Sequence, residues 1–347
     1  MLTFYNEQHT LHKGGIELAR DKVLPWFERP ERAEFVLAEL QRRNLGPILN
    51  PQRVALGSLE RIHSVRYLDF LRHAWQEWLA LDPANAGKDA LPSVWPIRTL
   101  RDDIEPINFN AKLGLFSMDN CSPLSSGTWL AAKAGADCAI NAAHALQGEE
   151  RGSFALTRPP GHHAGLDFSG GFCFLNNAAL AAQHLLDNGC KRVAILDIDF
   201  HHGNGTQSIF YERADVLTLS IHGDPRTEFP FYLGFADETG SAAGLGSNLN
   251  IPLPAGSATS TWFAALETAC LRIQTSRIEA LVVALGVNSF IGDPVAGFQL
   301  QSADFLRVGE RIGVLGLPTA FMFEGGYALN EIGVNVVNVL EGFETSL

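Results

Sequence analysis

Long apolar runs are missing from this 347-residue chain. A stretch such as 281–287 falls well short of the ~20 residues that a membrane-spanning helix needs. The N-terminal segment carries Asn6, Glu7, His9 and His12 where a secretory leader would need an apolar core. The expectation is therefore no membrane and a cytoplasmic location. Cysteine is scarce: Cys121, Cys138, Cys173, Cys190 and Cys270 are odd in number, widely spaced and without a Cys-x-x-Cys pair. That excludes a disulfide framework and a cysteine zinc knuckle, and it suits a reducing compartment. Positive charge is in the minority, with 26 Lys and Arg against 38 Asp and Glu and a formal net charge of −12. Such a surface repels phosphate backbones and anionic lipids, so no nucleic-acid partner is expected. Internal repeats and low-complexity tracts are absent as well.

Apolar side chains, by contrast, are plentiful. With 46% hydrophobic and 18% charged residues, the composition lies outside that of disordered chains. Helical periodicity is expected over 29–44, 58–81, 127–147, 177–188, 257–278, 302–315 and 330–342. Short β-branched or wholly apolar runs lie between them at 154–157, 192–198, 215–221, 280–285 and 319–323. This alternation predicts an α/β fold, with a mainly parallel sheet between helical layers. Its strands are apolar throughout because both faces are covered. The stretch 82–126 mixes Pro, Asn, Gly and charged residues without a period. It reads as an ordered insertion near the site or at a subunit contact, within one domain spanning 1–347.

Three segments carry chemistry. In Lys191-Arg-Val-Ala-Ile-Leu-Asp-Ile-Asp-Phe-His-His-Gly-Asn-Gly-Thr206 a buried strand runs into acids and histidines. If the strand conformation continued, Asp197, Asp199 and His201 would share one side, at the carboxyl edge where α/β sites lie. Asp199 and His201 offer the oxygen and nitrogen ligands of a catalytic zinc. In Arg158-Pro-Pro-Gly-His-His-Ala-Gly165, Pro and Gly fix two adjacent imidazoles, which suits proton transfer by His162 and His163. In Phe323-Glu-Gly-Gly-Tyr327 the glycines permit close backbone approach, and Tyr327 can aim a phenol at a developing oxyanion.

Together with Gly170-Gly-Phe-Cys-Phe-Leu-Asn-Asn177, these segments resemble the histone deacetylase superfamily, in particular its bacterial acetylpolyamine amidohydrolase branch, over most of the chain. The resemblance implies an arginase-like fold and amide hydrolysis with one zinc, or sometimes iron, ion. It makes Asp199 and His201 metal ligands, His162 and His163 the proton-transfer pair, and Tyr327 the carbonyl polariser. Asp197 would orient His162, and Asn204 would stand beside His163. Phe172 and Phe229 would wall a tunnel, and Glu17, Glu105 and Asp119 would line its entrance. A potassium ion would use Asp197, the carbonyls of Asp199, His201 and Ile221, and the Ser220 hydroxyl. A second would use carbonyls near Phe210, Arg213 and Val216. A homodimer or higher homo-oligomer is the expected assembly.

One position departs from the family pattern. Leu285-Gly-Val-Asn288 stands where the pattern continues Leu-Gly-Val-Asp, so the third metal ligand is an amide. Its oxygen can coordinate but brings no charge, and metal affinity is expected to fall. Deacetylation of acetylpolyamines is the leading expectation. Hydrolysis of neutral or xenobiotic amides, or a non-catalytic binding role, are the alternatives. A dinuclear ureohydrolase would need a further Asp after Asp199-Phe-His201, where His202-Gly203 stands instead.

Overall fold

Burial alternates between two apolar layers along every central strand of the computed structural model. The structure describes residues 1–19, 22–97, 101 and 103–347, with the backbone alone over 16–19 and 22–24. Its strands are β1 (Leu2–Tyr5), β2 (Ile16–Ala19), β3 (Lys22–Pro25), β4 (Ile48–Leu49), β5 (Gly152–Leu156), β6 (Val193–Asp197), β7 (Val216–Gly223), β8 (Asn248–Leu253), β9 (Ala280–Leu285) and β10 (Thr319–Phe323). Eight of them form one sheet in the order β4-β1-β5-β10-β9-β6-β7-β8, with every pairing parallel. β2 and β3 make a separate antiparallel hairpin. Val193, Ile195, Val282, Ala284, Ala320 and Met322 face one layer, with the helices Thr128–Ala145 and Asn177–Asp187. Ala194, Leu196, Val283, Leu285, Phe321 and Phe323 face the other, with Glu31–Arg43, Thr259–Thr275, Ser302–Gly313 and Leu329–Thr345. A period of two on both faces demands apolar residues at every strand position, which explains the unbroken runs in the sequence.

The chain passes from β5 outward through β6, β7 and β8, then returns to place β9 and β10 between β5 and β6. Four chemistry-bearing strand ends therefore stand side by side at the carboxyl edge, the usual place for an α/β site. Helix 58–81 is broken in the structure: Leu56–Leu59 and Val65–Leu81 are separate, and the Ser64 hydroxyl accepts the Tyr67 N–H at 3.2 Å to start the second. β1, β4, β8 and the hairpin lie outside the expected strands. The first two are short, and β8 carries Pro252, which is tolerated at a sheet edge. The stretch 82–126 contains the turn Pro83–Gly87 and the helix Phe109–Leu115, whose first turn is capped by Asn108. Beyond that helix Ser117 bridges Ser169, which brings Met118 and Asp119 to the site, and Leu124 bridges back to Ala90. Among the described residues, no helix is long and apolar enough to cross a membrane.

Candidate active site

β6 ends at Asp197, so strand geometry does not carry Asp199 and His201 as expected. Side chains do so instead. Asp197 Oδ1 accepts the Asp199 N–H at 3.0 Å, and Asp199 Oδ1 accepts the His201 N–H at 2.9 Å. Such side-chain to backbone bonds two residues on fix a tight path that a free loop would not keep. Gly286 and Gly325 lie flat against Asp199: a Cβ at either would meet Asp199 Oδ2 at 2.1 or 2.4 Å. Asp199 Oδ2 also accepts the Gly325 N–H at 2.8 Å.

The turn after β5 is held from both ends. Glu324 Oε2 accepts the N–H groups of Gly161 (2.6 Å) and His162 (3.1 Å). Buried Arg158 donates to the carbonyls of His9, His12 and Glu28 and pairs with the Glu28 carboxylate. His162 Nδ1 lies 2.8 Å from Asp197 Oδ2, His163 Nδ1 lies 2.7 Å from Asn204 Oδ1, and the two rings are 4.0 Å apart. Asn204 Nδ2 donates to Met118 Sδ at 3.0 Å, which orients the amide with its oxygen toward His163. His163 Nδ1 must then carry the proton, leaving Nε2 as the ring's acceptor. Burial opposes charge on His162, but the carboxylates of Asp197 and Asp199 outweigh it and raise its pKa to about 10. Burial, with the neighbouring His162 and His201, drives His163 well below the usual imidazole range. The two environments thus push the rings in opposite directions, His162 toward the charged form and His163 toward the neutral one.

Tyr327 donates its backbone N–H to Asp293 Oδ2 at 2.7 Å, and the Arg32 guanidinium lies 4.7 Å from its ring centre. Arg32 also donates to the carbonyls of Gly326 and Glu324 and pairs with Glu28 at 2.9 Å, so a buried cation shapes the Gly-Gly-Tyr turn. Phe172 packs edge-on to Tyr327 (5.8 Å), and Phe229 packs edge-on to His163 (5.0 Å) and His201 (6.0 Å). Both expected wall residues are therefore beside the chemistry, and Trp26 joins Phe172 and Tyr327 in one apolar cluster.

The entrance acids do not behave alike. Asp119 uses both oxygens on backbone N–H groups, of Cys121 and Gly171, each at 2.9 Å. Glu105 is exposed and pairs with Lys112 at 3.2 Å. Glu17 lies in β2, and its side chain is outside the described residues. Of the expected potassium ligands, Asp197 and Ser220 are register partners in β6 and β7, and the Ser220 hydroxyl meets His222 Nδ1 at 2.8 Å. Ile221 follows Ser220 directly, and Asp199 and His201 lie two and four residues beyond Asp197. The Phe210 carbonyl accepts the Arg213 N–H at 2.9 Å, just before Val216 opens β7.

The expected metal position brings Asp199, His201 and Asn288 together. Tetrahedral ligands at ~2.0–2.1 Å from a zinc-like ion sit roughly 3.3–3.4 Å apart. Asp199 Oδ1 and His201 Nδ1 are 3.4 Å apart, which fits. Asn288 turns its nitrogen, not its oxygen, inward: Nδ2 donates to Asp199 Oδ1 at 2.7 Å, while Oδ1 accepts the Phe200 N–H at 2.8 Å. The amide oxygen that the expectation directs at the ion is here committed to the backbone. As the side chains stand, the donor set fits a divalent cation at two positions and not at the third.

Glu324, Asp293, Arg32 and Met118 are the functional neighbours that sequence reasoning left unassigned. Glu324 and Asp293 sit in turns next to glycine, a signal that could have marked them. Arg32 reads as an ordinary charge on an amphipathic helix, and nothing local reveals its burial.

A histone deacetylase domain model matches residues 26–343. Acetylpolyamine amidohydrolase 2 of Pseudomonas aeruginosa is 51% identical over 344 residues, 99% of each chain. The acetylpolyamine amidohydrolase of Mycoplana ramosa is 43% identical over 342 residues, again 99% of each. The crystal structure of acetylpolyamine aminohydrolase from Burkholderia pseudomallei superposes with a TM-score of 0.95 at 36% identity, covering 100% of this chain and 99% of that one.

Proposed function

The chain belongs to the histone deacetylase family, and on that premise we propose that it hydrolyses the acetyl amide of acetylated polyamines. The observation that carries this reading is a pair of adjacent imidazoles on different partners, His162 on the Asp197 carboxylate and His163 on the Asn204 amide, with Tyr327 packed on the wall residue Phe172. His163 Nε2 takes the proton of the attacking water and returns it to the departing amine. His162 holds positive charge next to it and tunes its basicity. The Tyr327 hydroxyl donates to the carbonyl oxygen as negative charge develops there. Phe172 and Phe229 wall the acyl group and exclude water around it.

Divalent-metal dependence is general in this family. In this reading Asp199 and His201 would hold the ion, Zn²⁺ or alternatively Fe²⁺, which Asn288 would reach with its oxygen only after its amide turned; the ion would polarise the amide carbonyl and activate water. K⁺ would be held by Asp197 and Ser220 with the carbonyls of Asp199, His201 and Ile221, and a second K⁺ by carbonyls near Phe210, Arg213 and Val216. The protein works in the cytoplasm as a homodimer or higher homo-oligomer.

The test is turnover of acetylpolyamines, acetyl-lysine peptides and neutral amides at equal Zn²⁺. A kcat/KM for acetylpolyamine at least ~10-fold above that for neutral amides is expected, the scale of a modest pocket preference. A preference for neutral amides would transfer the assignment to that alternative. Absence of turnover by both this chain and Asn288→Asp would leave a binding protein.

A further inference from the structure

Asn288 is fully buried, and every polar atom of its amide has a partner. Oδ1 takes the Phe200 N–H. Nδ2 reaches Asp199 Oδ1 and lies 3.3 Å from His201 Nδ1. The two remaining groups at the metal position are thus bridged by an N–H donor. The orientation is set by the network rather than chosen freely, since a backbone donor faces the amide oxygen and a carboxylate faces the nitrogen. Turning the amide over would point its oxygen inward, but it would also set Nδ2 against the Phe200 N–H and leave a buried donor unsatisfied. Gly325 closes in behind: a Cβ there would lie 2.6 Å from Asn288 Nδ2, so the amide has little room to move aside.

We propose that Asn288 is an internal plug: its amide nitrogen ties Asp199 to His201 in place of a divalent cation. The chain folds and stays folded without metal, and uptake of a cation requires the amide to turn and to release the Phe200 N–H. This inference rests on the assignment of Asp199, His201 and Asn288 to the ion position. An aspartate at 288 would reverse the situation. It would keep an acceptor for Phe200 but place a second carboxylate beside Asp199, which only a cation relieves.

The full chain and Asn288→Asp, both stripped with a chelator, are titrated with Zn²⁺ by calorimetry and melted with and without it. The plug predicts a Zn²⁺ Kd at least ~10-fold weaker in the Asn288 chain than in the Asp form. It also predicts that chelation lowers Tm by several degrees in the Asp form and by less than about 1 °C in the Asn288 chain. Equal affinity in the two forms, or an Asn288 chain that melts early without metal, overturns it. If neither form binds Zn²⁺, the assignment of the ion position fails instead, and the plug fails with it. Should the metal-free Asp form not fold, hydrogen exchange of the Phe200 amide in the unmodified chain decides. Protection without metal that drops at least ~10-fold on Zn²⁺ saturation supports the plug, by opening of that bond. Unchanged protection with Zn²⁺ bound refutes it.

Discussion

The two halves of the site sit on neighbouring strand ends and use the same kinds of residue, yet they are in different conditions. In the histidine half, each ring has a partner suited to a different protonation state: Asp197 stabilises charge on His162, and Asn204 offers His163 only a neutral acceptor. In the ion half, the amide at 288 has found its own hydrogen bonds and faces the position with a donor. An amide is productive in the first half and obstructive in the second. The difference teaches that residue type does not decide the role of a buried polar group. What decides it is which of its atoms the surrounding backbone has already claimed.

The largest expected effect comes from breaking the intact half. His163→Ala should lower kcat about 10³-fold, the middle of the range for a general base, and Tyr327→Phe about 10²-fold. Tyr327→Phe keeps its buried ring and should melt within a few degrees of the parent by calorimetry, while the same measurement checks that His163→Ala, which truncates a buried ring, still unfolds cooperatively. Near-normal turnover in either would sink its assigned role. Repairing the other half should work in the opposite direction, with Asn288→Asp raising kcat/KM at limiting Zn²⁺ by at least ~10-fold. Asp293→Ala tests the support beneath Tyr327. It frees the backbone N–H that fixes the phenol's turn, and kcat should fall roughly 10-fold while KM changes little, the signature of misplacement rather than lost binding.

Outside both halves, Glu39 provides a scale for an ordinary ion pair. It binds Arg42 at 2.6 Å and Arg43 at 2.7 Å, and their hydrogen bonds and charge lower its pKa from 4.5 to about 2. Because the folded pKa is depressed, its stabilisation is present above pH about 4.5 and disappears as pH falls toward 2. Glu39→Gln should therefore melt a few degrees lower at pH ~6, with the gap closing as pH approaches ~2.5. A gap that persists at low pH would mean packing, not charge. The smallest effect is expected at the entrance. Glu105 is exposed and already paired with Lys112, so Glu105→Gln should change KM for acetylpolyamines by less than about 2-fold, and added salt should erase the change.

Strand and helix positions were legible wherever the pattern was strong. β5, β6, β7, β9 and β10 fall on the expected apolar runs because a strand buried on both faces permits little else. β1, β4 and β8 were not legible, since two short strands and one Pro-bearing edge leave no distinctive period. At the site, His162, His163, Tyr327 and Asp197 could be picked out by residue type and position, whereas Asn204, Phe172 and Phe229, which converge on them from other segments, were expected only through the family resemblance. Arg32 and Glu28 could not be picked out, because their burial depends on Arg158 and on the Gly326 carbonyl, both far away in sequence.

The sequence by itself determined the layer architecture and the inventory of chemical groups. Local periodicity dictates which faces must be buried, and the acids, amides and imidazoles are fixed by covalent structure. It also determined that position 288 holds an amide. Only the tertiary structure decided which end of that amide faces inward, because the choice belongs to the Phe200 N–H, 88 residues away, and to the Asp199 carboxylate. The opposite settings of His162 and His163 were decided in the same way. Their ring chemistry is identical, and what separates them is a carboxylate from one strand end and an amide from the helix that follows it, each brought within hydrogen-bond reach by the fold.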